Sequence, residues 1–216
     1  MNRTSVVVVA LLLVTVVALG YYLQGGSQSY SDSTTAYPAT LSQDEIQALL
    51  YMREEEKLAR DVYLTLYEKW GIQIFKNIAE SEQQHTDMVK YLIDKYGLED
   101  PAKEGIGEFS NPEIQELYNK LVEEGSKSEI DALKVGAMIE ELDIRDIRTW
   151  LEKVDNEDII QVFNNLINGS KNHLRAFVSV LKQYGVGYEP QIISKEEFEE
   201  IVSSAPGAYG QQQGKG

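Results

Sequence analysis

Only two histidines occur in this chain of 216 residues, and each closes a three-residue step: Glu82 to His85, and Ser170 to His173. Two further acids, Glu56 and Glu140, interrupt apolar helical spacings. Residues three apart share one face of a helix. Carboxylates and imidazoles turned together into the core of a helix bundle are the usual makings of a metal site. Without sulfur, such a ligand set suits iron, manganese or zinc better than copper(I).

Other chemistries are excluded by what the chain lacks. It has no cysteine, so disulfides, thiolate metal sites and cysteine nucleophiles are ruled out. There is no nucleophilic triad and no glycine-rich phosphate loop after a strand; Gly185-Val186-Gly187 reads as a helix end. A formal net charge of -15 argues against nucleic acid and against a polybasic membrane patch. That acidity is first of all a solvated exterior. Asn168-Gly169-Ser170 matches a glycosylation acceptor, but Ser170 belongs to an inward-facing position, so the match is discounted.

The elements that must position these residues follow from spacing. Ser42-Gln43-Asp44-Glu45 is a capping box that opens a helix reaching Trp70, with Gly71 as its stop. Its stripe is Leu49, Met52, Ala59, Tyr63, Leu66 and Trp70, with Glu56 midway. A second helix, about 72–96, carries Phe75, Ile78, Val89, Leu92 and Tyr96 around Glu82 and His85. Residues 101–112 form an irregular connector, and a short helix at about 113–124 ends at Gly125. A third long helix opens at Ser126 or Ser128, with the stripe Ile130, Leu133, Ala137, Ile144, Ile147 and Leu151 around Glu140. Asp155 is placed to cap a fourth, which carries Ile159, Phe163, Leu166, Phe177, Val180 and Tyr184 around Ser170 and His173. Residues 194–203 add a small amphipathic helix, and no segment alternates as a strand. The expected fold is all-α: four long helices in two pairs with one long crossover, a ferritin-like bundle.

Helices of similar length in an antiparallel bundle bring their midpoints to one level, so the polar groups should meet in one layer. Each buried, unpaired carboxylate costs several kcal/mol, against a whole-domain stability of about 5–15 kcal/mol. No Lys or Arg falls on the four stripes; Arg60 and Arg175 lie beside them and could reach partway in. Proton sharing would relieve part of this charge, and a divalent cation most of it. Glu141 competes with Glu140, but the stripe favours Glu140 and leaves Glu141 on the surface; Glu55 is likewise expected in solvent. Tyr63, on the inner stripe, reads either as a phenol serving the site or as a core residue with its hydroxyl satisfied. Gly136 and Gly169 read either as close-approach positions or as tolerated packing glycines.

Glu56 with Ala59-Arg60, followed by Glu82 and His85, resembles the first half of a diiron-carboxylate protein of the rubrerythrin kind. The stretch 41–202 is similar to the ferritin-like domain family DUF2202, on the segments 55–63 (EEKLARDVY), 135–140 (VGAMIE) and 169–177 (GSKNHLRAF). The resemblance implies Glu56, Glu82, His85, Glu140 and His173 as metal ligands, with Glu82 as a bridge between two ions. The pattern breaks at Ser170, where a complete second half would have Glu. Asp143, one turn after Glu140, is the replacement it points to; without it, the site holds one metal, or two asymmetrically. The relatives' oxygen and peroxide chemistry is implied with the metals.

The segment 1–23 carries, behind Arg3, an uncharged apolar run at 4–23 that is long enough to span a bilayer, which takes about 20 residues. It reads as an anchor or as a cleaved signal peptide, and either places the remainder outside the cytoplasm. Residues 24–40 read as a flexible linker, 41–203 as the helical domain and 204–216 as a disordered tail. The expected protein is an extracytoplasmic, membrane-anchored or secreted metal binder, with iron first and manganese or zinc as alternatives. Its chemistry would be oxidation by oxygen or peroxide, or iron handling. Lacking cysteines, it would draw electrons from an external donor. A non-enzymatic binding or assembly module, with a structural metal or none, is the competing expectation. A homo-oligomer is left open, and the membrane is a partner only if residues 4–23 are retained.

Overall fold

A computed structural model describes residues 41–204, in which every regular element is a helix. The expected signal or anchor at 1–23 and linker at 24–40 lie outside the described residues, as does the tail beyond Ser204. Among the described residues no helix is long and apolar enough to cross a membrane. The elements are α1 (Gln43–Trp70), α2 (Gln73–Lys95), α3 (Pro112–Gly125), α4 (Glu129–Leu151), α5 (Glu157–Gln183) and α6 (Lys195–Ser203).

The capping box at Ser42 and Glu45 forms as expected. Gly71 ends α1 at φ 67°, a left-handed conformation that costs a side-chain-bearing residue energy. Gly71 and Ile72 alone then separate α1 from α2, so the two helices form a hairpin. Of the two serines considered for α4, Ser128 is the cap. Asn156, rather than Asp155, caps α5: its side chain accepts from the N–H groups of Asp158 and Ile159, while Glu45 of α1 accepts from those of Asp155 and Asn156.

α1 packs chiefly on α2, and α4 on α5; α1 against α4 and α2 against α5 complete the four-helix arrangement. The crossover between the pairs is pinned to α1 by buried charges. Lys57 Nζ donates to the carbonyls of Gly105 (2.8 Å) and Glu108 (3.1 Å) and pairs with Asp61. Glu54 accepts from the N–H groups of Ser110 and Asn111. α3 then lies across α1 and α4, and α6 against α5. The inner stripes form the core, with Leu49, Tyr63, Phe75, Leu133, Phe163 and Phe177 all buried. Tyr184, expected as the last stripe position of the fourth helix, is exposed, because it caps α5 where the neighbouring helices no longer cover it.

Candidate metal centre

The buried acids divide by what their oxygens meet. Glu45, Glu54 and Glu141 each accept from two or more backbone N–H groups, and Asp61 from Lys57, Arg60 and the N–H of Gly107. These are structural carboxylates. Glu56, Glu82, Glu140 and Asp143 are fully buried, and each has at least one oxygen without a hydrogen-bond partner. Glu56, Glu82 and Glu140, from α1, α2 and α4, meet the two imidazoles, His85 of α2 and His173 of α5.

Glu82 stands at the centre. Its Oε2 lies 2.8 Å from His85 Nδ1, and its Oε1 lies 2.7 Å from His173 Nδ1. Neither contact is directed as a hydrogen bond. Ligand atoms this close with no hydrogen bond between them can share a cation. Nitrogen and oxygen ligands at about 2.0–2.2 Å from an ion stand about 3 Å apart when at right angles. The separations and the misdirection therefore both fit cations. Two triads result, Glu56–Glu82–His85 and Glu82–Glu140–His173, each offering ligand atoms within 4.8 Å of one another, with Glu82 common to both. Glu56 Oε2 is hydrogen-bonded to His85 Nδ1 at 3.1 Å, whereas Glu140 Oε2 lies 3.4 Å from His173 Nδ1 with no hydrogen bond between them. The two rings stack with centroids 5.5 Å apart.

The surroundings orient these groups. Tyr63 donates to Glu140 Oε1 at 2.6 Å and packs on Phe177. Tyr63 is thus a buried core residue whose hydroxyl is satisfied by Glu140. His173 Nε2 lies 2.9 Å from Ser81 Oγ. When Nδ1 is a ligand, Nε2 carries the proton and donates to Ser81, the outer contact that fixes a ligating imidazole. Ser81 gave no signal in the sequence, because an ordinary serine beside a glutamate has no distinguishing spacing.

Asp143 belongs to neither triad. It is buried beside them with both oxygens unpartnered. Ser170 faces inward but donates to the carbonyl of Leu166 at 3.2 Å, as a helix-interior serine does. Arg60 and Arg175, expected to reach toward the site, do not: Arg60 binds Asp61 and Gln83 Oε1, and Arg175 binds the carbonyl of Ile201 on α6. Glu141 and Glu55, expected at the surface, are buried. Glu141 is covered by the segment after α5, and Glu55 by Tyr51 and α4.

Charge in the centre is redistributed accordingly. Burial raises the Glu56 carboxyl to about 7, although His85 acts to lower it. Burial also opposes ionisation of Glu82, but His173 and His85 outweigh it and hold that carboxyl well below its usual range. Burial would lower His173, yet Glu140 and Glu82 raise it to about 10. Asp143 is pushed well above the usual carboxylate range, by burial first and then by Glu56, Glu55, Glu140 and Glu82. The centre thus holds protons where a cation could stand.

The chain belongs to the DUF2202 family. The family described as "Uncharacterized protein domain (DUF2202)" matches residues 45–205, which include every residue of the centre. The Uncharacterized protein MJ0754 of Methanocaldococcus jannaschii is 64% identical over 166 residues, covering 76% of this chain and 90% of that protein. The crystal structure of hypothetical protein MJ0754 from Methanococcus jannaschii matches with a TM-score of 0.76 at 64% identity, over 77% of this chain and 95% of that one.

Gly169 and Gly136 are both close-approach positions in this DUF2202 domain. A Cβ on Gly169 would stand 2.4 Å from His85 Nε2, and one on Gly136 2.4 Å from the Phe177 ring. Gly169→Ala should therefore displace the His85 ring and weaken metal binding by about 10- to 100-fold, the range for disturbing a ligand's support. Gly136→Ala should instead act on the core, costing about 1–3 kcal/mol of stability. Metal titration and thermal unfolding of the two variants separate these effects.

Proposed function

We propose that this protein is a ferritin-like metal-binding bundle whose centre takes two divalent cations. Glu56 and His85 hold one, Glu140 and His173 the other, and Glu82 bridges them. The observation that carries this reading is Glu82, whose two oxygens each lie within 2.8 Å of a different imidazole and neither of which is hydrogen-bonded. The mixed carboxylate and imidazole set favours iron, with manganese and zinc as alternatives. Bound iron would supply one-electron redox change toward oxygen or peroxide. The protein's own part is to position and shield. Tyr63 holds one oxygen of Glu140 so that the other faces inward, Ser81 fixes His173, and Phe75 and Phe177 keep the Tyr63 side of the centre dry. The chain has no cysteine, so electrons would come from an outside donor. The apolar run at 4–23 supports a location outside the cytoplasm, tethered or secreted.

One observation favours a second reading. Ser170 offers no second bridge, since its hydroxyl is directed at the Leu166 carbonyl. A binding or assembly module with a structural metal, and no turnover, fits that asymmetry.

The test is metal quantification on the purified protein, the His85→Ala variant and the His173→Ala variant. The wild type is expected to bind two equivalents of Fe(II) or Co(II), and each variant fewer. Equal stoichiometry in all three proteins refutes the site. Affinity should also climb as pH rises through about 7 toward 10, because Glu56 and His173 must release protons to bind metal. Peroxide consumption by the iron-loaded protein with added reductant separates the enzyme from the module.

A further inference from the structure

Glu55 has no structural assignment of the kind found for the other buried acids outside the centre. It is only 3% exposed; one oxygen is 3.4 Å from Tyr51 Oη, and the other has no partner. The charged groups near it are Asp146, Glu56 and Asp143, with Arg145 the one cation among them. On α4, Glu140, Asp143 and Asp146 follow at three-residue steps, so they line one edge of that helix. Asp143 is fully buried with both oxygens free of hydrogen bonds. Asp146 is nearly buried, and both its oxygens are held by Arg145, at 2.6 and 2.8 Å. Arg145 is the partly exposed member, and Tyr51 Oη lies 3.4 Å from Asp146 Oδ2.

We infer that Asp146, Glu55 and Asp143 form the path by which divalent cations reach the centre, opening between α1 and α4 beside Tyr51 and Arg145. The inference rests on the metal reading of the centre. A row of like-charged buried groups is unfavourable by itself. It becomes useful if each acid passes a cation to the next, from Asp146 to Glu55, to Asp143, and on to Glu56 and Glu140. The unpartnered oxygens of Glu55 and Asp143 are the free acceptors such a transfer needs. Arg145 occupies the outermost acid, and an arriving cation would displace it. The net charge of -15 favours cations around the protein as a whole.

The test is the rate at which Co(II) loads the metal-free full-length protein, followed by its visible absorbance after rapid mixing. Glu55→Gln and Asp146→Asn should each slow loading by about tenfold, within the range that a local field contributes to association. Their final absorbance should match that of the wild type. Arg145→Gln should load at least as fast as the wild type. Glu196→Gln, which removes one exposed charge on α6, is the charge-matched control and should not change the rate. Wild-type loading rates in both acid variants overturn the path while leaving the centre intact. A lowered final absorbance in either variant makes that acid a ligand and also overturns the path. If the wild type binds no cobalt, the path and the metal reading fall together.

Discussion

Glu82→Gln is expected to abolish tight binding of both cations, where loss of either imidazole weakens mainly one. The amide keeps the shape of the side chain and one oxygen, but removes the only carboxylate shared by the two triads. A bridge lost from both sides should cost more than about 100-fold in affinity at each position, or about 2.8 kcal/mol or more, exceeding what disturbing an outer contact costs. The remaining electrostatics offset part of this loss, because the neutral imidazole is the form that binds metal. Glu82 is one of the groups raising His85 and His173, so its removal lets burial pull both imidazoles back down. The fold should persist, because Glu82 makes no hydrogen bond to backbone. Calorimetric titration with Co(II) at fixed pH checks this. Two sites of unchanged affinity in Glu82→Gln would refute the bridging role, even if metal binds elsewhere.

The centre could be read in the sequence because its members sit on helical stripes. Glu56, Glu82, Glu140 and His173 occupy positions that would otherwise be apolar, and three-residue spacing links Glu82 to His85 and Glu140 to Asp143. The helix order, the crossover and the cap at Ser42 follow from local signals of the same kind, whereas the cap of α4 is left between Ser126 and Ser128 until the fold selects Ser128. What the stripes could not show is burial on the remaining faces. α1 is covered by α2, α3 and α4, so Glu54, Glu55 and Glu56 point in different directions and are all buried. A two-faced reading of that helix has no place for Glu55 except solvent. Glu141 is buried for a related reason. Its partners are the N–H groups of 191–193 and the Tyr188 hydroxyl, in a segment whose course no spacing predicts. Arg175 turns to α6 because the carbonyls at the end of that short helix need donors.

Glu141 and Asp143 are two residues apart, both fully buried, and should respond to substitution with opposite signs. Glu141→Ala would leave three backbone N–H groups and a tyrosine hydroxyl without their acceptor. Each orphaned buried donor costs about 1–3 kcal/mol, and water can reach part of this segment, so a loss of about 2–4 kcal/mol is expected. For a domain of this size that lowers Tm by roughly 5–15 °C. Asp143 has no such donors. Its carboxyl is held well above the usual range by burial and by the acids around it. A carboxyl raised on folding destabilises the folded state once pH exceeds the unfolded value of about 3.9, by up to about 1.4 kcal/mol per pH unit until the folded value is reached. Asp143→Asn removes that penalty. In chelator it should raise Tm at pH 7 by a few degrees and leave it unchanged near pH 4. Added metal should narrow or reverse the gain, because cations stabilise the protein that binds them better. Thermal scans of both variants at the two pH values, with and without metal, test the distinction. A lower Tm for Asp143→Asn in the metal-free protein would show that this acid supports the fold, as Glu141 does, and that its burial has nothing to do with cations.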